Sequence, residues 1–158
     1  MNREVRDLRV PGSALPFLAV GSVAIVAGGV VAAVTRPTGF EEGAWLAAYL
    51  VLVTGVALIA LGAGQAWFAP HPPTRRLVGA QIGAWALSTA GVVGGTLASL
   101  PVLTTIGGAV LAGALITFVA SVRGSTVAGI GVWCYRLIIL VVLVSIPIGL
   151  LLAWQRHG

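Results

Sequence analysis

The chain has 158 residues, of which 58% are hydrophobic and only 8% are charged. Soluble domains carry about 25% charged residues, so this composition excludes a water-soluble globular fold and predicts one membrane domain over 1–158. The formal net charge of +5 comes from arginines scattered over short polar segments. Because they form no contiguous basic face, we expect no nucleic-acid partner.

Five apolar segments are long enough to be membrane spans, since a helix needs about 20 apolar residues to cross the hydrocarbon core. The first four contain no charged residue. Pro16 suits the first helical turn of the first segment, where a missing N–H costs nothing. The pattern predicts an all-α integral membrane fold, a five-span Gly/Ala-rich helical bundle. The predicted spans are 14–35, 45–68, 77–98, 102–121 and 137–154.

The fifth segment allows two readings. A helix over 127–154 would be about 42 Å long and would place Arg136 well inside the membrane. A span that starts after Arg136 leaves this residue at the interface, among aromatic side chains. Placing an arginine at the centre of the membrane costs at least about 2.5 kcal/mol of insertion free energy. An arginine at the interface avoids most of this cost, because its long side chain can reach water. We therefore favour the shorter span, with 122–136 as an interfacial or tilted lead-in helix.

The distribution of arginines predicts the orientation. Cytoplasmic loops of membrane proteins carry an excess of positive charge. Placing the N-terminus in the cytoplasm and the C-terminus outside leaves only Arg36 and Arg156 on the outer side. Size and composition are typical of small bacterial multi-span proteins, so the expected location is the bacterial cytoplasmic (inner) membrane. The arginines predicted to face the cytoplasm are Arg3, Arg6, Arg9, Arg75, Arg76, Arg123 and Arg136.

Glycine is frequent, with 22 residues, and small residues let membrane helices approach closely. The third span carries two G-x-x-x-G motifs, which we interpret as two patches without side chains on one face of the helix. The fourth span offers one further pair of small residues. These motifs predict that the third span is the central helix in the packing of the bundle. The helix that packs against it belongs either to this chain or to another chain. The predicted packing residues are Gly79, Gly83, Gly91, Gly95, Ala109 and Gly113.

Little chemistry is available to the chain. The only histidines, His71 and His157, fall on opposite predicted sides of the membrane, and metal or haem sites need clustered ligands. Cys134 has no partner cysteine and is predicted to be an apolar filler. We expect no catalytic residues, no metal, no cofactor and no enzymatic activity. The acidic residues all lie outside the predicted spans, which argues against ion-coupled transport; they are Glu4, Asp7, Glu41 and Glu42.

One constellation could recognise a ligand. Basic and aromatic side chains converge on the predicted cytoplasmic side, as in sites for anionic lipid headgroups or for acidic segments of a partner. The alternative is positive-inside charge with an ordinary aromatic belt, and a hydrogen bond between the two glutamines across a helical hairpin. The candidate contacts are Gln65, Trp67, Arg75, Arg76, Gln81, Arg123, Trp133, Tyr135 and Arg136.

The leading functional hypothesis is a non-catalytic accessory or assembly subunit of an inner-membrane complex, with membrane lipids and either a protein partner or further copies of itself as neighbours. A second hypothesis is an oligomeric pore or an uncoupled carrier of small solutes. A third is an anionic-lipid-binding protein. The pore would require a shared polar face, which the sequence does not show; its candidate lining is Thr54, Gln65, Gln81, Ser88, Thr89, Thr96 and Thr117.

Overall fold

The computed structural model describes residues 11–123 and 130–155, and within the second range the side chains of 131 and 133–145. These residues form helices and turns, and no strand occurs among them. The all-helical prediction is therefore confirmed over the described part of the chain. Its helices are α1 (Leu15–Thr38), α2 (Gly43–Phe68), α3 (Arg75–Leu97), α4 (Pro101–Ser121) and α5 (Ile130–Gln155).

Helices α1 to α4 are each long and apolar enough to cross a membrane. Helix α5 runs without a break across the boundary at 137 that we predicted between lead-in helix and span. The side chains of 146–155 lie outside the described residues, so a fifth crossing stays a prediction. The predicted orientation also stays a prediction, because Arg3, Arg6, Arg9 and Arg156 lie outside the described residues.

Local signals set the ends of the first hairpin. Pro16 lies in the first turn of α1, where its fixed φ favours the helix and its missing N–H is not needed. After α1, Gly39 adopts a left-handed φ of 65°. The N–H of Phe40 then donates to the carbonyl of Thr35 at 3.2 Å, which caps the helix as a Schellman motif does.

The second hairpin uses similar devices. Thr74 caps α3 by accepting a hydrogen bond from the N–H of Leu77 at 3.3 Å. At the other end of α3, Ser99 takes a positive φ of 54°, and Leu100 N–H donates to the carbonyl of Gly95 at 2.8 Å. Pro101 then starts α4. The turn between α3 and α4 therefore covers only 98–100, in agreement with the short gap between the predicted spans 77–98 and 102–121.

Helix α2 is not α-helical throughout. Residues Tyr49–Ala57 are wound as a π-helix, between α-helical segments Gly43–Ala48 and Leu58–Phe68. A π-helix bonds residue i to i+5 and so aligns side chains five positions apart. In an α-helix such residues point about 140° away from each other. This stretch therefore changes which side chains of α2 face the rest of the bundle.

The helices pack as two hairpins, α1 on α2 and α3 on α4, with α5 against α4 and the second half of α2. At the centre, the ring centroids of Phe17 and Phe118 lie 5.6 Å apart, and Trp85 meets Phe118 edge-on at 6.0 Å. Leu58 and Leu61 are fully buried beside them. Edge-to-face aromatic pairs are a favoured arrangement, and this cluster joins α1, α3 and α4.

Glycines bring the backbones of both hairpins into contact. The closeness is measured by the Cβ atom that any other residue would place at the glycine. At Gly95 this atom would lie only 2.5 Å from the Thr104 nitrogen of α4, and at Gly91 it would lie 3.0 Å from the Cα of Gly107. In the first hairpin, a Cβ at Gly21 would lie 2.9 Å from the carbonyl oxygen of Gly55. The packing glycines of α1 were not predicted, because Gly21 and its counterpart Gly28 are seven residues apart and form no G-x-x-x-G motif.

Candidate functional site

Among the described residues, the arginines outside α1 are exposed and gather at one end of the bundle, where α3 begins and α4 ends. We call this the Arg end; it is the end predicted to be cytoplasmic. The guanidinium carbon of Arg136 lies 5.9 Å from the ring centroid of Trp133, within reach of a cation–π interaction. The predicted contact residues that are exposed at this end are Arg75, Arg76, Arg123, Arg136, Trp67 and Trp133.

The depth of Arg136 follows from its neighbour Tyr135. The Tyr135 hydroxyl donates to the carbonyl of Phe118 at 3.3 Å, and its ring meets Phe68 edge-on at 6.1 Å. Phe118 is three residues, or about 4.5 Å, before the end of α4. Arg136 therefore lies about one turn from the Arg end of the bundle. Tyr135 itself is buried and joins α5 to α4 and α2.

The two glutamines of the predicted contact set are also buried, and they are not bonded to each other. Gln81 Nε2 donates to the Thr117 hydroxyl at 3.2 Å. Neither amide atom of Gln65 has a hydrogen-bond partner among the described residues. The predicted constellation thus divides into an exposed basic and aromatic surface and a buried polar group.

The two G-x-x-x-G motifs of α3 have different surroundings. Gly91 and Gly95 contact α4, whereas a Cβ at Gly79 or Gly83 would meet no described atom within 4 Å. The two motifs begin twelve residues apart, and in an α-helix this separation places them about 120° apart around the helix axis. They therefore do not share one face, and our interpretation of the sequence was wrong on this point. On α4, Ala109 and Gly113 are both exposed.

The outer side of α3 is lined by small residues. Exposed positions at helical spacing carry Gly79, Gly83, Ala86 and Ala90, and we call these four the small-residue stripe. Leu87 is a large exposed aliphatic beside it. The outer side of α1 is mixed, because small exposed residues such as Ser22, Ala27 and Gly29 alternate there with large aliphatics. The exposed large aliphatics are Leu15, Val20, Val23, Val26, Val30 and Val34.

Several residues predicted to line an oligomeric pore lie inside the single chain. Thr54, Gln65, Gln81 and Ser88 are all buried. The hydroxyls of Thr54 and Thr89 lie 3.2 Å apart and form a hydrogen bond between α2 and α3. The other two predicted lining residues bond to carbonyls of their own helices, through the hydroxyls of Thr96 and Thr117.

Sequence reasoning missed one member of this buried polar group, Tyr49. Within the described residues, the Tyr49 hydroxyl, the Trp85 indole N–H, the Ser88 hydroxyl and Gln81 Oε1 are buried without a hydrogen-bond partner. We call these four residues the polar row. The spacing of Gln81, Trp85 and Ser88 at i, i+4 and i+7 was the available signal, since it places them on one face of α3.

No group of three or more metal-ligating side chains occurs in the part of the chain that the structure describes. Cys134 is exposed rather than packed as a filler, and His71 is exposed in the turn between α2 and α3. Comparison with known proteins finds no family model, no curated protein and no solved structure that matches the chain. Function must therefore be inferred from the two surfaces and the buried polar row.

Proposed function

We propose that the protein is a non-catalytic accessory subunit of a larger membrane complex, and that a helix of its partner packs on the small-residue stripe of α3. The observation that carries this proposal is the composition of that outer face. In lipid, helices associate mainly through van der Waals contact, and small residues allow the backbones to approach closely. On the outer side of α1, large aliphatic side chains lie between the small residues and keep a neighbouring helix farther away.

The packing inside the chain supports this interpretation. Another side of α3, about 120° around the helix, uses a motif of the same spacing, Gly91 and Gly95, to hold α4 in backbone contact. The small-residue stripe therefore offers a second helix the kind of surface that already binds one. Glycine costs about 1 kcal/mol in a helix interior relative to alanine, and the stripe carries two glycines one turn apart.

The short connections support a role within the plane of the membrane. Helices α1 and α2 are separated by 39–42, and α3 and α4 by 98–100. Such turns give a soluble partner little surface to bind. A subunit built in this way acts through the sides of its helices, as the leading hypothesis from the sequence requires.

The test is native mass spectrometry of the tagged protein, extracted gently from its own membranes. We expect a defined complex that contains other polypeptides. The double variant Gly79→Leu with Gly83→Leu should lose them and remain folded, because it adds bulk only on the outer side of α3. The matched control is Gly29→Leu, since Gly29 is exposed on α1 and a Cβ there would meet no described atom within 4 Å.

Two outcomes contradict the proposal. One is a monomer or a complex made only of this chain. The other is a heteromeric complex that survives the double variant intact, which would place the partner elsewhere on the bundle.

A second candidate function, binding of anionic lipid at the Arg end, is favoured by the pairing of Arg136 with Trp133. Guanidinium groups bind phosphate oxygens, and aromatic rings anchor at the interface. Replacing Arg75, Arg76 and Arg136 together by Gln should remove co-purifying anionic lipid, as measured by lipid mass spectrometry. The control is Arg36→Gln, which removes an exposed arginine from the opposite end of the bundle. Unchanged lipid content in the triple variant would refute this function.

A further inference from the structure

The π-helical stretch of α2 builds a group of hydroxyls against α3. Tyr49 and Thr54 are five residues apart, so the π-helix turns both toward the same neighbour, where an α-helix would separate them by about 140°. The Thr54 hydroxyl meets that of Thr89 at 3.2 Å. The Tyr49 hydroxyl lies beside those of Ser88 and Thr89, although it completes no well-formed hydrogen bond with a described residue.

The polar surface continues from Ser88 along α3 toward the Arg end. Trp85 and Gln81 follow on the same face and are each only 1% exposed. Over the described residues, the indole N–H of Trp85 has no acceptor and the Oε1 of Gln81 has no donor. Between Ser88 and Gln81 the row extends over seven residues, or about 10 Å of helix.

This arrangement is costly unless something completes it. A buried polar atom without a partner loses its bonds to water and gains none in return, and lipid cannot supply hydrogen bonds to the interior of the bundle. The row offers a donor at Trp85, an acceptor at Gln81, and hydroxyls that do both at Tyr49 and Ser88. None of these side chains is charged, so the row suits a neutral molecule that both donates and accepts hydrogen bonds.

We propose that the polar row is a binding site, inside the bundle, for small uncharged molecules that donate and accept hydrogen bonds, with water as the smallest of them. Buried waters characteristically make about three hydrogen bonds to polar groups that lack other partners, and the row provides such groups in series. The π-helical stretch is then the device that completes the site, because it turns Tyr49 toward Ser88. This site is independent of the accessory role proposed above.

The experiment uses the indole N–H of Trp85 as the reporter. The full chain, labelled with ¹⁵N at tryptophan, is placed in lipid nanodiscs, and the Trp85 signal is identified by its loss in Trp85→Phe. We expect a magnetisation-transfer cross-peak between this indole proton and water. Added glycerol distinguishes the occupants: a shift of the Trp85 signal shows that the site admits a polyol, and an unchanged signal shows that it holds water alone.

Variants connect the cross-peak to the row. Ser88→Ala should weaken or abolish the water cross-peak, because it removes a neighbouring hydroxyl on the same face. Thr96→Ala is the matched control, since the Thr96 hydroxyl bonds to the carbonyl of Val92 within α3 and lies outside the row. In this control the cross-peak between the Trp85 indole proton and water should persist. The proposal is overturned if the Trp85 proton of the folded, unmodified protein shows no cross-peak to water or glycerol and exchanges as slowly as the surrounding backbone amides.

Discussion

The two G-x-x-x-G motifs of α3 have the same spacing, but one contacts another helix and the other does not. Gly91 and Gly95 contact the backbone of α4, whereas Gly79 and Gly83 face outward and a Cβ there would meet no described atom within 4 Å. The spacing therefore indicates where a helix can approach, and it does not indicate which helix does so. The inner motif folds the chain, and we propose that the outer motif joins it to a partner. Substitutions at the two motifs should consequently fail in different ways.

The largest effect is expected for Gly91→Leu. A Cβ at this position already lies 3.0 Å from the Cα of Gly107, so a leucine must push α3 and α4 apart. Overpacking of this kind costs about 1–3 kcal/mol and occasionally more, and we expect the upper end because the neighbouring atoms are backbone. Reversible unfolding in mixed detergents, followed by circular dichroism, measures the loss. An unchanged free energy of unfolding would show that this interface is not as close as the structure has it.

A smaller and cleaner effect is expected from one pair of alanine variants on α4. A Cβ at Gly107 would lie 2.6 Å from the Val92 nitrogen, whereas one at Gly113 would meet no described atom within 4 Å. Both changes gain about 1 kcal/mol of helix propensity, so their difference isolates the packing cost. Gly107→Ala should be less stable than Gly113→Ala by about 1–3 kcal/mol in the same unfolding assay. Equal stabilities would remove the argument for backbone contact.

The hydroxyl pair between α2 and α3 should contribute less than the glycines. Interhelical hydrogen bonds in membrane proteins average about 0.6 kcal/mol. A double-mutant cycle over Thr54→Val and Thr89→Val measures the coupling of the 3.2 Å contact. We expect a coupling free energy of this size, and additive effects of the two variants would mean that the hydroxyls do not bond.

The smallest effect on folding is expected at the outer motif. Gly83→Leu adds bulk where no described atom lies within 4 Å of a Cβ, and surface substitutions usually change stability by less than about 0.5 kcal/mol. The variant should unfold like the unmodified protein while binding its partner less well. Clear destabilisation of the isolated chain would show that Gly83 packs inside the fold, and the contrast between the motifs would disappear.

The helix positions followed from the sequence because their signals are local. Long apolar runs, Pro16 and Pro101 at helix starts, and the proline-rich turn before Thr74 set the bounds of the first four helices to within three residues. The continuity of α5 did not follow in this way. We divided this segment at Arg136 because burying a charge in the membrane is costly. That cost limits how deep the arginine can lie in the membrane, and it does not limit how far the helix extends.

The candidate sites were predicted less completely, since they depend on which faces meet. The basic and aromatic residues of the Arg end could be grouped from topology alone. The burial of Gln65, Gln81 and Tyr135 could not, because interior and lipid-facing positions are similarly apolar in a membrane helix and hydrophobic periodicity is weak. Tyr49 was missed because α-helical periodicity assigns it the wrong face, and the π-helical winding that corrects this has no signature in the sequence.

The sequence by itself determined that the described part of the chain is helical, that four of its helices are long and apolar enough to cross a membrane, and where those helices begin and end. These properties depend on composition, length and capping residues, all of which act locally. Only the tertiary structure decided which glycines are covered by another helix, which polar groups are enclosed together, and which side of α3 faces outward. Those outcomes depend on helix rotation and pairing, and in a membrane these are set by close contact between surfaces that are almost equally apolar.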